Sequence, residues 1–89
     1  MTHHVLIYRY VPDIVERRAP LREEHLRKIA AEQAAGRILM AGPIGNPIQG
    51  ALFVFAGEES APGEAFAKAD PYVRAGLVTE WRVEPWTLV

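Results

Sequence analysis

The chain has 89 residues, no cysteine and a formal net charge of −1, with 49% apolar and 24% charged residues. Such a chain is expected to form one globular domain over residues 1–89, and its balanced charge lacks the clustered basic face typical of nucleic-acid-binding proteins. Without cysteine, disulfides and thiol chemistry are excluded, and without a signal-like or membrane-spanning apolar segment we expect a cytoplasmic protein with no membrane partner.

The N-terminal third predicts a strand, a connection and a helix. Residues 4–10 are aromatic and β-branched and predict a first strand. The charged segment 12–20 is expected to be a connection. A moderately amphipathic helix is predicted from about Pro20, which the first helical turn tolerates, to about Ala35, with Gly36 as its C-terminal stop.

The central third predicts two strands. Residues 37–41 form the first of these, and a connection rich in glycine and proline follows over 42–47. Residues 50–56 give the strongest strand pattern in the chain.

The C-terminal third predicts a helix and a last strand. A helix is expected over 61–69, with Ser60 as a possible cap. Asp70-Pro71 should interrupt it, because a residue before proline disfavours the α conformation. A fourth strand is predicted over 77–84, ending before Pro85.

The order β-α-β-β-α-β predicts an α+β, ferredoxin-like fold. The four strands form an antiparallel sheet with both helices on one face, and the first and third strands are central. In 4–10 and 50–56 both faces of the strand are apolar, whereas a half-solvated strand alternates with polar residues. A second copy of the chain is the simplest cover for the face without helices, so we expect a homodimer.

Four short segments carry a family resemblance. They match, in order, the patterns R-x-x-H-L, G-R-L-x-x-A-G-P, D-P-Y-V-x-A-G and V-x-P-F/W, and they lie at 22–26, 36–43, 70–76 and 83–86. In this combination the chain resembles the YciI-like (YCII-related) family.

The resemblance implies a dimeric α/β barrel with an active site built from a histidine and an aspartate, here His25 and Asp70. One relative in that family is a dehydrochlorinase of a chlorinated hydroxyhydroquinone, and related dimeric barrels include muconolactone isomerases. Most members have no assigned reaction, so the resemblance implies a site more firmly than a substrate.

The residues themselves leave two interpretations of this pair. His25 falls at the border of the core-facing helical stripe, and an imidazole can exchange a proton near neutral pH. Asp70 could orient that ring and stabilise its charged form. Alternatively His25 is a structural histidine, and Asp70 is a turn or capping residue.

Three further side chains are candidates for the site. Arg22 lies one helical turn before His25 and could bind a substrate carboxylate or phenolate, or form a surface ion pair instead. Tyr72 could line a substrate-binding pocket or pack in the core, whereas Trp86 is more typical of core or interface packing.

Metal and cofactor sites are not expected. His3 and His4 are adjacent in a strand and therefore point to opposite faces, which is poor geometry for chelation. The glycines in 42–45 lack the lysine and spacing of a phosphate-binding loop.

Two functions from different classes remain open. The first is a cofactor-independent lyase or isomerase that transfers protons on a small, ring-containing substrate. The second is a non-catalytic dimeric module that binds a small ligand or supports another enzyme. Fold class alone does not separate them.

Overall fold

A computed structural model describes residues 2–89, and these form four strands and four helices. In chain order the elements are β1 (Thr2–Tyr10), α1 (Ile14–Arg17), α2 (Arg22–Ala34), β2 (Ile38–Ile44), β3 (Gly50–Ala56), α3 (Ala61–Ala69), α4 (Pro71–Arg74) and β4 (Val78–Thr87), with a 3-10 turn over Ala19–Leu21 before α2.

The strands form one antiparallel sheet in the order β2-β3-β1-β4. Strands β1 and β3 are therefore central, which confirms the ferredoxin-like α+β prediction. In their register Leu6 pairs with Phe53 and Tyr8 pairs with Ala51. These four residues point to the same face, because alternate residues of a strand share a face.

The helices cover that face. Phe66 of α3 packs against Phe53 and Phe55, with ring centroids 5.2 and 6.0 Å apart. His25 of α2 lies against Phe53, and Tyr72 of α4 lies against Tyr10. The principal core thus lies between the sheet and the helices, as predicted, while Val5, Ile7 and Leu52 on the other face remain partly exposed.

The segment 12–20 is more ordered than the predicted connection. It contains α1, whose Ile14 is buried, and the start of the 3-10 turn. The prediction was wrong here because a single buried residue anchors a helix too short to show periodicity. Helix α2 accordingly begins at Arg22, and Pro20 lies in the turn before it.

Both outer strands continue through prolines that the prediction placed beyond their ends. Strand β2 includes Pro43, and β4 includes Pro85. Each is an edge strand, where a residue without an N–H can stand because one side of the strand needs no partner.

Ser60 lies at the N-terminus of α3, as predicted, but its side chain does not cap the backbone. Its hydroxyl instead donates to the Glu64 carboxylate at 2.8 Å.

Helix α4 is closed tightly at both ends. Asp70 interrupts the preceding helix, as predicted, and its carboxylate accepts the backbone N–H of Tyr72. At the other end Gly76 has φ +78°, and the N–H of Leu77 donates to the carbonyl of Tyr72. This is the Schellman arrangement, which favours glycine at the left-handed position. The two caps together fix the backbone of Tyr72.

Among residues 2–89, no helix combines the length and hydropathy required to cross a lipid bilayer.

Two glycine substitutions test this closure of α4. An added Cβ meets no atom within 4 Å at Gly76 or at Gly42, but only Gly76 has a positive φ. Gly76→Ala should therefore lower the free energy of unfolding by about 1–2 kcal/mol through backbone strain. Gly42→Ala should leave it unchanged or raise it slightly. Urea unfolding of both variants at equal protein concentration checks this, and equal effects would contradict it.

Candidate active site

A buried carboxylate lies at the centre of the site. Asp70 has no exposed surface. Its Oδ2 accepts the Tyr8 hydroxyl at 2.6 Å, and its Oδ1 accepts the Tyr72 backbone N–H at 3.1 Å. Its Oδ1 also lies 2.9 Å from Nδ1 of His25. A buried charge is tolerated when such donors replace its hydration, and all three are present here.

Separate elements bring these groups together. Tyr8 is on central strand β1 and points toward the helices, and Asp70 stands at the start of α4. His25 lies in the first turns of α2 and is the only buried residue of that helix. The position predicted at the edge of the core-facing stripe is therefore the point at which α2 is anchored.

The orientation of the His25 ring is fixed by its neighbours. It stacks on Tyr72, with centroids 3.7 Å apart and planes 8° from parallel. The edge contact with Phe53 has a centroid distance of 6.2 Å. Because an ionised carboxylate only accepts hydrogen bonds, Nδ1 carries a proton that it donates to Asp70. In the neutral ring Nε2 is then the nitrogen with the lone pair.

The His25 ring forms part of the wall of a cavity of about 290 Å³ between α2 and strands β2 and β3. One side of α2 supplies much of this wall. The lining residues are Tyr10, Arg18, Arg22, His25, Leu26, Ile29, Gln33, Ala41, Gly42, Pro43, Ala51, Phe53 and Tyr72. The predicted amphipathic stripe of α2 thus lines a cavity more than it fills a core, and Leu26 is 47% exposed.

Four of the five candidate side chains meet at this place, whereas Trp86 lies on the other face of the sheet. His25 and Asp70 are in hydrogen-bond contact, and Tyr72 stacks on His25 and lines the cavity. Arg22 also lines the cavity, and it makes no ion pair within the described residues.

Sequence reasoning missed two residues of the site. Tyr8 was predicted only as part of the first strand, and its hydroxyl contact with Asp70 has no local sequence signal. Arg18 was assigned to a solvated connection, yet it also lines the cavity. The one sequence signal that could have indicated Arg18 is its position four residues before Arg22, just ahead of the helix.

Burial raises the pKa of each tyrosine of the site. It raises the pKa of Tyr8 far above the usual range, and the charge of Asp70 and the hydrogen bond to it raise that pKa further. Burial also raises the pKa of Tyr10, mainly with the help of Tyr72, while Arg18 opposes the rise. For Tyr72 burial raises the pKa, and Arg18 and Arg22 oppose it.

The two N-terminal histidines are separate from the site. His4 places Nδ1 3.0 Å from the carbonyl oxygen of Gly57, and His3 lies on the opposite face of β1. Within residues 2–89 no group of three potential ligands is arranged to hold a metal ion.

Comparison with known proteins identifies the family. A sequence model described as the YCII-related domain matches residues 1–87. The chain belongs to the YCII-related family. An uncharacterized protein of Haemophilus influenzae is 30% identical over 98 residues, covering 98% of both chains. Protein YciI of Escherichia coli O6:H1 is 31% identical over 86 residues, covering 86% of this chain and 88% of its own. The resemblance drawn from the four motifs is confirmed.

Solved structures share the fold of this YCII-related chain. One is a 5-chloro-2-hydroxyhydroquinone dehydrochlorinase from Burkholderia phenoliruptrix in complex with 2,5-dihydroxybenzoquinone. It has a TM-score of 0.77 and 20% identity and covers 96% of this chain and 93% of its own. A NIPSNAP domain protein from Burkholderia xenovorans has a TM-score of 0.58 and 14% identity, covering 100% and 95%. At these identities the likeness establishes the fold alone.

The raised pKa values predict the behaviour of the protein in alkali. The chain has three tyrosines, and the folded state raises the pKa of each one. In an unfolded chain tyrosine ionises near pH ~10. Below that pH the contribution of the buried phenols to stability is complete, and it is lost as the pH rises through the folded-state values. Phenolate absorbance should therefore increase only together with the loss of circular dichroism.

The same titration in concentrated urea is the control, because unfolded tyrosines should ionise near their usual pKa. Ionisation of all three near pH ~10 with unchanged circular dichroism would contradict the assignment of these phenols as buried.

Proposed function

We propose that the protein is a cofactor-independent enzyme that transfers protons on a small, ring-containing substrate, as a lyase or isomerase. His25 exchanges the proton, and Asp70 orients the imidazole and stabilises its positively charged form. Arg22 binds an anionic group of the substrate, and Tyr72 stacks on the ring of His25. The runner-up is a non-catalytic module that binds the same class of ligand.

The observation that carries the proposal is the 2.9 Å contact between Nδ1 of His25 and Asp70 at the wall of a cavity. With Nδ1–H held by the carboxylate, Nε2 takes a proton from a bound ligand and later returns it. As the ring becomes positive, Asp70 stabilises it through the same hydrogen bond. Stacking on Tyr72 limits rotation of the imidazole, so that Nε2 keeps pointing in one direction.

The size of the cavity supports a small substrate. Its volume of about 290 Å³ lies at the lower end of ligand pockets. The apolar side chains of Leu26, Ile29 and Phe53 offer contacts to a single ring, and Arg22 offers a charge at one side.

The solved dehydrochlorinase suggests one reaction to test. Its fold is shared, and the reaction in its name removes hydrogen and chloride from a ring compound. In such an elimination His25 would take the proton, the electron pair would remain in the ring system, and chloride would leave. No electron acceptor is needed, because the loss of HCl is balanced within the substrate.

The first experiment measures turnover on a panel of chlorinated hydroxyhydroquinones and lactones, with chloride release and absorbance as readouts. We expect turnover by the wild type and a loss of at least about a hundredfold in His25→Gln, the usual scale of general acid–base catalysis. Arg27→Gln is the matched control, because Arg27 is on the same helix but pairs with Glu23 in solvent.

Added imidazole should restore part of the activity of His25→Ala, which a purely structural role would not produce. Binding of panel compounds without turnover would instead support the non-catalytic module. Equal rates for His25→Gln and the wild type would contradict the proposal.

We also propose that the protein is a homodimer that pairs through the sheet face without helices. That face carries an apolar depression lined by side chains that include Val5, Ile7, Leu52, Met40 and Trp86. Met40 is 63% exposed and Trp86 is 46% exposed. Exposed apolar surface of this kind is rare on monomers, and a second copy offers a surface of the same chemistry.

Sedimentation of two variants tests the dimer. Met40→Glu places a charge in the proposed interface and should shift the protein toward monomer. Val15→Glu is the control, because Val15 is 56% exposed on α1 and does not line that depression. A monomeric wild type, or equal sedimentation of the two variants as dimers, would contradict this interface.

A further inference from the structure

Two arginines give the cavity a charge that the chain as a whole does not have. Arg18 and Arg22 line the cavity, and no aspartate or glutamate does. The formal net charge of the chain is −1. The positive charge is therefore local to the wall that also contains His25.

These two arginines differ from most others in the chain. Five arginines, at positions 9, 17, 27, 37 and 82, lie within ion-pair distance of an acidic side chain. Within residues 2–89 neither Arg18 nor Arg22 has such a partner. Arg74 shares this property but lies against a different depression. The cations at the cavity are thus available to a ligand.

A single 3-10 turn joins the two arginines. Arg18 directly follows α1, and its carbonyl accepts the Leu21 N–H at 2.8 Å within that turn. Arg22 follows as the first residue of α2, one turn before His25.

The electrostatics of the neighbouring phenols agree with this placement. Burial raises the pKa of Tyr72, and both Arg18 and Arg22 act in the opposite direction. Burial likewise raises the pKa of Tyr10, and Arg18 opposes that rise. Both guanidinium groups therefore act on the aromatic cluster around His25, and the Tyr10 and Tyr72 hydroxyls make no side-chain hydrogen bond among the described residues.

We propose that the cavity selects small ring compounds that carry a carboxylate or a comparable oxyanion, and that Arg18 and Arg22 together bind this group. This binding preference narrows the substrate class of the proposed enzyme. Its relevance to catalysis rests on that proposed function, but the binding itself does not require turnover. Guanidinium groups suit the task because their planar donors match the two oxygens of a carboxylate.

With the anionic group at the arginines, the ring of the ligand lies toward Leu26, Ile29 and Phe53, which are further members of the cavity wall. Arg22 lies one helical turn before His25 on α2, and both line the cavity. The anion thus positions the ring beside the imidazole, and a neutral analogue of the same shape lacks this anchor.

The test compares benzoate with benzamide, two probes of nearly equal shape that differ in charge. Binding is measured by two-dimensional NMR titration of the wild type and of Arg18→Gln, Arg22→Gln and Arg17→Gln. Arg17 adjoins Arg18 in sequence but pairs with Asp13 and does not line the cavity, so its variant is the matched control.

We expect the wild type to bind benzoate at least about tenfold more tightly than benzamide, the scale of one charge-assisted hydrogen bond. Arg18→Gln and Arg22→Gln should each weaken benzoate binding by about tenfold and leave benzamide binding unchanged. Arg17→Gln should bind both as the wild type does, and Arg18→Lys should retain part of the preference for benzoate.

Equal affinity for the two probes, binding of neither, or equal effects of Arg18→Gln and Arg17→Gln would overturn the proposal. Circular dichroism of each variant verifies that it is folded. Charge-selective binding without turnover on any substrate would leave this inference standing and contradict only the proposed enzymatic activity.

Discussion

The carboxylate of Asp70 joins three parts of the chain that are distant in sequence. It is fully buried, and it accepts hydrogen bonds from the Tyr8 hydroxyl, the His25 ring and the Tyr72 backbone. An unpartnered charge in that position would be very costly, so the three donors and the carboxylate depend on one another. This one side chain therefore connects β1, α2 and α4 and fixes their relative positions.

The position of α2 follows from that arrangement. His25 is its only buried residue, whereas the other residues on the same side of the helix face a cavity or remain partly exposed. Protein interiors are normally close-packed, and a helix with so little buried surface gains little from packing. Helix α3 is different, because Phe66 and Ala67 are buried against the sheet. The fold therefore has one well-packed side and one side that leaves room for a ligand.

The groups proposed for catalysis also stabilise the fold. Tyr8 completes the hydrogen bonding of the carboxylate, and the carboxylate in turn fixes which nitrogen of His25 carries a proton. Tyr72 supplies both a backbone donor to Asp70 and a stacking surface for the ring. A change at any of these residues alters folding and the imidazole together, which is why rescue of function and probes of equal shape but different charge discriminate better than loss of activity alone.

The sequence by itself determined the order of the four strands and the two longer helices, the central strands and the family. The β-branched and aromatic residues of 4–10 and 50–56 indicate strands, and Gly36 and Asp70-Pro71 act through the conformations of their own backbones. Such signals are local, and a single sequence contains them. Extension of the outer strands through Pro43 and Pro85 has no such local signal, because a proline either ends a strand or stands within an edge strand, and pairing with the neighbouring strand decides between the two.

The tertiary structure alone decided that the site residues meet. Asp70 and Tyr8 are separated by 62 residues, and Asp70 and His25 by 45. Their contacts depend on strand register and on the placement of α2 and α4 over the sheet, neither of which a local pattern specifies. The same holds for Arg18, which the sequence indicates only as one charged residue of a solvated connection. It faces a cavity only because the 3-10 turn carries the chain from α1 into α2 at that place.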